Sequence, residues 1–156
     1  MIRTHLHKAI RKDNGKWITG NLVKQEKTTY CFKEDYERNP DNTVYYIAYD
    51  EMTDWGLPNR HLVTEVVPET ICEAIDGLFT TTGTKRQLFE GDIVNISTTS
   101  YYFREYILHY DNKNLSWAAI SPAAAKMKGF NGFDAIRLNA DWEYEYVGNI
   151  CELANE

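Results

Sequence analysis

The chain has 156 residues, 43% hydrophobic and 26% charged, which suits one globular domain or two small lobes sharing a core. No apolar run approaches the roughly 18 residues of a membrane span, and residues 1–10 hold no continuous apolar stretch of the secretory kind, so a cytoplasmic location is expected. The net charge of -6 is unevenly spread: residues 1–33 carry eight Lys or Arg against two acids, net +6, which leaves -12 for the remainder.

In chain order, Asp13-Asn14-Gly15-Lys16 predicts a hairpin turn, because Asn and Gly tolerate the positive φ such turns need. Residues 6–11 and 17–23 are its arms, and Gly20 in the second arm predicts a bulge or a close backbone approach. Residues 28–33 read as a strand, 34–42 as an exposed polar loop and 43–49 as a strand. Residues 54–59 form a second loop around Trp55-Gly56-Leu57-Pro58. The strand at 61–67 stops at Pro68, which has no N–H for a ladder. Residues 69–75 predict a helical turn or short helix, and 80–85, mostly Thr, a polar turn before Gln87-Leu88-Phe89.

Gly91-Asp92 marks another turn, followed by strands at 93–97 and 101–110, a hairpin loop at 111–114 and a return arm at 115–120. Residues 122–128, Pro followed by three Ala, predict a short helix or structured insertion, ended by Gly129-Phe130-Asn131-Gly132-Phe133. The last strands are 136–138 and 142–150. Short strands broken every ten or so residues, with 11 Tyr, predict a mainly β fold of sandwich or barrel type with one or two short helices.

Catalytic and metal signatures are missing from the sequence. No H-E-x-x-H, G-x-S-x-G, phosphate loop or G-x-G-x-x-G occurs. Cys31, Cys72 and Cys151 are odd in number and lack a C-x-x-C pair, so they read as reduced thiols rather than zinc ligands or a disulfide framework. His5 and His7 share a strand face, but a third ligand, His61 or His109, would have to come from an unconnected segment. No enzyme activity, cofactor or metal is expected.

Four segments resemble a known family. They are Lys12-Asp13-Asn14-Gly15-Lys16-Trp17 with Gly20; Val66-Val67-Pro68-Glu69-Thr70-Ile71; Gly77-Leu78 with a turn ending in Gly83-Thr84-Lys85 and then Leu88-Phe89-Glu90-Gly91-Asp92-Ile93-Val94; and Val147-Gly148-Asn149-Ile150-Cys151. Their order and spacing are similar to the YopX family of phage and prophage proteins, which has no established biochemical activity. The resemblance implies a single YopX-like domain, residues 1–156, of two lobes: an amino-terminal β-hairpin and sheet lobe over 1–67 and a small Src-homology-3-like β-barrel over 68–156. Residues 72–76 make a longer link than is usual in the family, and 122–133 resemble an insertion.

The expected function is that of a non-enzymatic accessory protein in the host bacterial cytoplasm, binding an unidentified host or phage protein or associating into a homo-oligomer. The alternative is nucleic-acid binding by the basic first hairpin, with Lys8, Arg11, Lys12 and Lys16 meeting phosphates. Tyr101, Tyr102 and Arg104 could add rings and a cation for a partner or a single strand, but alternation of core-facing and surface rings is the favoured reading of residues 101–106, because the acidic second half would repel phosphate. Gly15, Pro68, Glu90, Gly91, Asp92 and Gly148 read as structural: glycine for positive φ or close approach, Asp92 to bind turn amides, with Phe89, Ile93 and Val94 facing inward.

Overall fold

The computed structural model describes residues 5–126 and 135–153. Its strands are β1 (His7–Ile10), β2 (Trp17–Glu26), β3 (Thr43–Glu51), β4 (Arg60–Glu65), β5 (Cys72–Phe79), β6 (Gln87–Phe89), β7 (Asp92–Ser97), β8 (Tyr102–Asp111), β9 (Ser116–Ile120), β10 (Ala135–Arg137) and β11 (Glu143–Asn149). Three short helices accompany them: α1 (Lys33–Arg38), α2 (Pro122–Ala125) and α3 (Ile150–Leu153). The strands make two antiparallel sheets, one of six in the order β4-β3-β2-β1-β5-β6 and one of five in the order β10-β9-β8-β7-β11. The fold is therefore mainly β, as its Tyr-rich, turn-punctuated sequence predicts. Among the described strands no pairing closes the five-stranded sheet into a barrel, since β10 and β11 are its two edges.

The chain divides into two compact units, Met1–Glu73 and Ala74–Glu156. In the first, the Asn-Gly turn forms as its chemistry requires. Gly15 has φ +68°, its N–H donates to the Arg11 carbonyl at 3.0 Å, and Lys16 N–H donates to Asn14 Oδ1 at 3.0 Å. Gly20 proves to be a close approach: a Cβ there would stand 2.2 Å from the Ala48 carbonyl oxygen. β2 and β3 pair from Asn21↔Ala48 to Glu26↔Thr43, and β3 and β4 from Tyr46↔Glu65 to Glu51↔Arg60. Past the end of β4, Val66 bridges Arg11, with Lys12 N–H on the Glu65 carbonyl and Val67 N–H on the Ile10 carbonyl. Ala9, Ile47 and Val66 are the buried centre, with Ile18, Leu22, Tyr45 and Ile71 packed around them.

Two expectations in this unit fail for one reason. Residues 28–33 are not a strand, and 34–42 are not an open loop. The pairing of β2 with β3 ends at Lys27, whose N–H donates to the Asn42 carbonyl at 2.8 Å, because the Asn42 side chain takes the next backbone groups, accepting from Thr28 N–H at 3.0 Å and donating to the Thr28 carbonyl at 2.7 Å. The chain then turns into α1, held by Tyr36, whose hydroxyl accepts from Tyr30 N–H at 3.0 Å, and by Asn39 Nδ2 donating to the Asp35 carbonyl at 2.8 Å. A single 3₁₀ turn, Pro40–Asn42, leads into β3. Pro68 opens a second 3₁₀ turn, Pro68–Thr70, where the missing N–H costs nothing. The helical reading of 69–75 holds only there, because Cys72 begins β5.

In the second unit, Ile75, Leu78, Leu88, Val94, Ile96, Leu108, Ala119 and Tyr144 form the buried cluster. β5 bulges between Ala74 and Phe79 around Gly77 (φ +79°), and Gln87 Nε2 fills the gap by donating to the carbonyls of Ile75, Leu78 and Leu88. The strands expected at 93–97, 101–110 and 115–120 appear within a residue or two as β7, β8 and β9. Ser121 caps α2 by accepting from Ala124 N–H at 3.2 Å. Residues 127–133 of the expected insertion lie outside the described residues. The strand expected to reach residue 150 ends at Asn149, and α3 follows.

Candidate interaction surfaces

The segment from Phe89 to Val94 is a folded knot of hydrogen bonds. Gly91 turns the chain with φ +80°, and a Cβ there would press to 3.1 Å from Ile150 Cγ1. Asp92 is fully buried. Its carboxyl accepts from Phe89 N–H and from Asn149 Nδ2, each at 2.8 Å, and Asn149 in turn accepts from Cys151 N–H at 2.9 Å. Gly91 N–H donates to the Leu108 carbonyl, and Ile150 N–H to the Gly91 carbonyl. Phe89, Ile93 and Val94 are buried, so these three side chains face inward. Gly148 follows a bulge at which Tyr146 opposes Val94 and Gly148 opposes Ile93. Glu90 lies at the surface 3.9 Å from His109 Nδ1.

The four basic residues of the first hairpin are differently placed. Lys8 is only 5% exposed and its Nζ sits 4.7 Å above the Trp17 ring, so it cannot be an open phosphate contact. Arg11 pairs with Asp13 through Nε at 2.9 Å and Nη2 at 2.5 Å, and Lys12 Nζ lies 2.6 Å from Glu65 Oε1. These carboxylates raise the affinity of Arg11 and Lys12 for their protons, chiefly by direct hydrogen bonding. Lys16 is exposed in the turn. Three of the four cations are thus engaged within the protein, and counterion release on a polyanion would have to displace existing pairs. A duplex or single-strand DNA titration at low and moderate salt is expected to show no salt slope that Arg11→Gln or Lys12→Gln reduces. A shallower slope in either variant would restore the basic hairpin as a nucleic-acid surface.

On the aromatic strand, a bulge in β8 breaks the alternation. Val94↔Tyr106 and Ile96↔Phe103 leave an extra residue in β8, and Glu105 adopts φ +55° with its N–H on Asn95 Oδ1. Phe103 and Tyr106, three apart, thereby pack together on the core with ring centroids 5.3 Å apart. Tyr101 and Tyr102 stay 70% and 60% exposed, and Arg104 is exposed beside them.

The most exposed ring of all the described residues was not singled out by the sequence. Trp55 is 89% exposed in the loop between β3 and β4, beside Leu57 at 60%, and Val63 on β4 is 65% exposed. The loop is nevertheless ordered: Trp55 N–H donates to Asp54 Oδ1 at 2.7 Å, Leu57 N–H to the Asp54 carbonyl, Thr53 Oγ1 to the Pro58 carbonyl, and Gly56 turns with φ +77°. The signal available in the sequence was a Trp between turn-forming residues, where no core position would be expected.

Among the described residues no three His, Cys, Asp or Glu side chains converge as a metal site, and no helix is long and apolar enough to cross a membrane. Geometry and composition define a mainly β protein of two antiparallel sheets with exposed aromatic loops. Comparison with protein-family models, with curated proteins and with solved structures finds no significant match.

Proposed function

We propose that the chain is a phage- or prophage-derived accessory protein, related to the YopX family through its four motif segments. It acts in the bacterial cytoplasm by binding a host or phage protein, or by self-association, and not by catalysis. The observation that carries this reading is Trp55, held outward on a hydrogen-bonded loop beside Leu57. A large ring kept in water on a fixed loop loses little conformational freedom on docking, and Trp is enriched among residues that dominate binding energy. The edge strand β4, which follows that loop, also leaves Val63 exposed.

We read the second unit as a small, open Src-homology-3-like barrel. The support is its strand order: β7, β8, β9 and β10 neighbour one another in sequence, and β11 returns to β7. Such sheets bind peptides and assemble through their edges.

Sedimentation across a concentration series, with affinity capture from bacterial and phage-infected lysates, tests the proposal. The Trp55→Ala chain should keep the wild-type melting temperature, since the ring is solvent-exposed, and should lose capture or self-association by about tenfold or more. A concentration-independent monomer whose captured proteins are the same with and without Trp55 would refute it.

A further inference from the structure

Lys85 and Arg86 differ from Arg11 and Lys12 of the first hairpin. Among the described residues neither forms a salt bridge with a carboxylate, unlike Arg11, Lys12, Lys33, Arg38 and Arg60. They rest on rings instead: Lys85 Nζ lies 4.5 Å above Phe79, and the Arg86 guanidinium 3.8 Å above Tyr146. A ring face holds a cation in place without neutralising its charge. Both charges stand in a unit, Ala74–Glu156, whose acids outnumber its bases by four.

The loop carrying them is built rather than slack. Thr80 N–H donates to the Arg86 carbonyl at 2.9 Å, the Thr80 hydroxyl donates to the Thr84 carbonyl at 3.1 Å, and Arg86 N–H donates back to that hydroxyl at 3.0 Å. Thr81 is fixed to β11, its N–H donating to the Tyr144 carbonyl and its hydroxyl accepting from Tyr144 N–H, both at 2.9 Å. Gly83, at φ +72°, turns the tip over open space. The result is an open cavity of about 600 Å³, lined by Thr82, Gly83, Thr84, Lys85 and Arg86. Glu145, the acid on its wall, accepts from Asn95 Nδ2 at 2.9 Å. Burial, and then the charge of Asp92, raise the Tyr146 phenol above its ordinary pKa, against the lowering effect of the neighbouring Arg86.

We propose that this cavity binds the phosphate monoester group of a small molecule. Lys85 and Arg86 supply charge, and the Thr82 and Thr84 hydroxyls supply hydrogen bonds. Arg presents a planar fork of donors that matches phosphate oxygens, and charge-assisted bonds of this kind are the strong ones. A cavity of this volume suits a small ligand. A nucleic-acid strand fits less well, since it needs a track of cations and the cavity lining supplies Lys85 and Arg86 within a net acidic unit.

The test is an amide-resolved NMR titration of the whole chain with phenyl phosphate and, separately, inorganic phosphate, at ionic strength held constant with chloride. Saturable shifts are expected at the amides of residues 82–86 with phenyl phosphate. Lys85→Gln and Arg86→Gln should each weaken binding by about tenfold or more, and Arg86→Lys by less. Unchanged Thr81 and Tyr144 amides verify that each variant keeps the loop. Shifts that fail to saturate, that scatter over other surface lysines, or that persist equally in Arg86→Gln overturn the site. Tighter binding of inorganic phosphate than of phenyl phosphate overturns the monoester assignment. The outcome is independent of Trp55, so it stands or falls apart from the protein-binding reading.

Discussion

Gly20→Ala is expected to destabilise the Met1–Glu73 unit by about 3 kcal/mol or more, and Gly20→Val to leave that unit unfolded at room temperature. Gly20 sits in the middle of β2, with β1 paired on one side at His7 and β3 following on the other at Asn21↔Ala48. The added Cβ would lie 2.2 Å from the Ala48 carbonyl oxygen and 2.9 Å from Ile47 Cγ2. The first obstacle is backbone, so no rotamer change relieves it; β2 and β3 would have to separate. Ile47 is fully buried at the centre of this unit's small core, so separation also opens the apolar cluster. In a unit of this size such a loss lowers the melting temperature by roughly 12 °C or more. Thermal unfolding followed by amide NMR would localise the loss to residues 5–73. A Gly20→Ala chain melting within a few degrees of wild type would mean that the close approach does not constrain the sheet.

Gly20 also marks where the fold was legible. A glycine inside an otherwise strand-like run points to close approach or a bulge, and the Asn14-Gly15 turn follows from local backbone preference alone. The same holds for Gly91-Asp92. What local sequence could not carry was pairing decided at a distance. Residues 28–33 have strand composition, yet Asn42, fourteen residues away from Thr28, occupies the hydrogen bonds a strand would need. α1 lacks a side-chain N-cap and has no buried residue, so its six residues show no helical periodicity; contacts to Tyr36 and Asn39 hold it. The β8 bulge depends on Asn95 accepting from Glu105 N–H, a contact invisible in the Tyr-rich alternation of residues 101–106.

The candidate surfaces were less legible than the sheets for a related reason: charge and aromaticity are properties of sequence, but exposure and pairing are not. Lys8 looks like a surface cation until its strand neighbours bury it beside Trp17. Arg11 and Lys12 look available until Asp13 and Glu65 are placed beside them. Lys85 and Arg86, within an acidic half, attract no notice until rings rather than carboxylates prove to hold them.

Asp92→Ala is expected to cost the second unit about 3 kcal/mol, with a fall in melting temperature of roughly 12–24 °C. The side chain is fully buried, and its removal strips the acceptor from Phe89 N–H and from Asn149 Nδ2 together. Each buried donor left without a partner costs about 1–3 kcal/mol, and water reaches neither if the site stays closed. Asp92→Asn keeps the shape but turns one acceptor into a donor, so that an amide faces either Phe89 N–H or Asn149 Nδ2; its loss should be smaller and still clear. Asn149→Ala removes the other half of the pair and also frees Cys151 N–H at the start of α3. Because the two side chains bond to each other, the double variant Asp92→Ala/Asn149→Ala should be less damaged than the sum of the singles, with a coupling of about 1–2 kcal/mol. Urea unfolding of the four chains gives that number directly. Strict additivity would mean that the buried Asp92–Asn149 contact contributes nothing of its own, leaving the Asp92 bond to Phe89 N–H as the carboxylate's contribution to the turn.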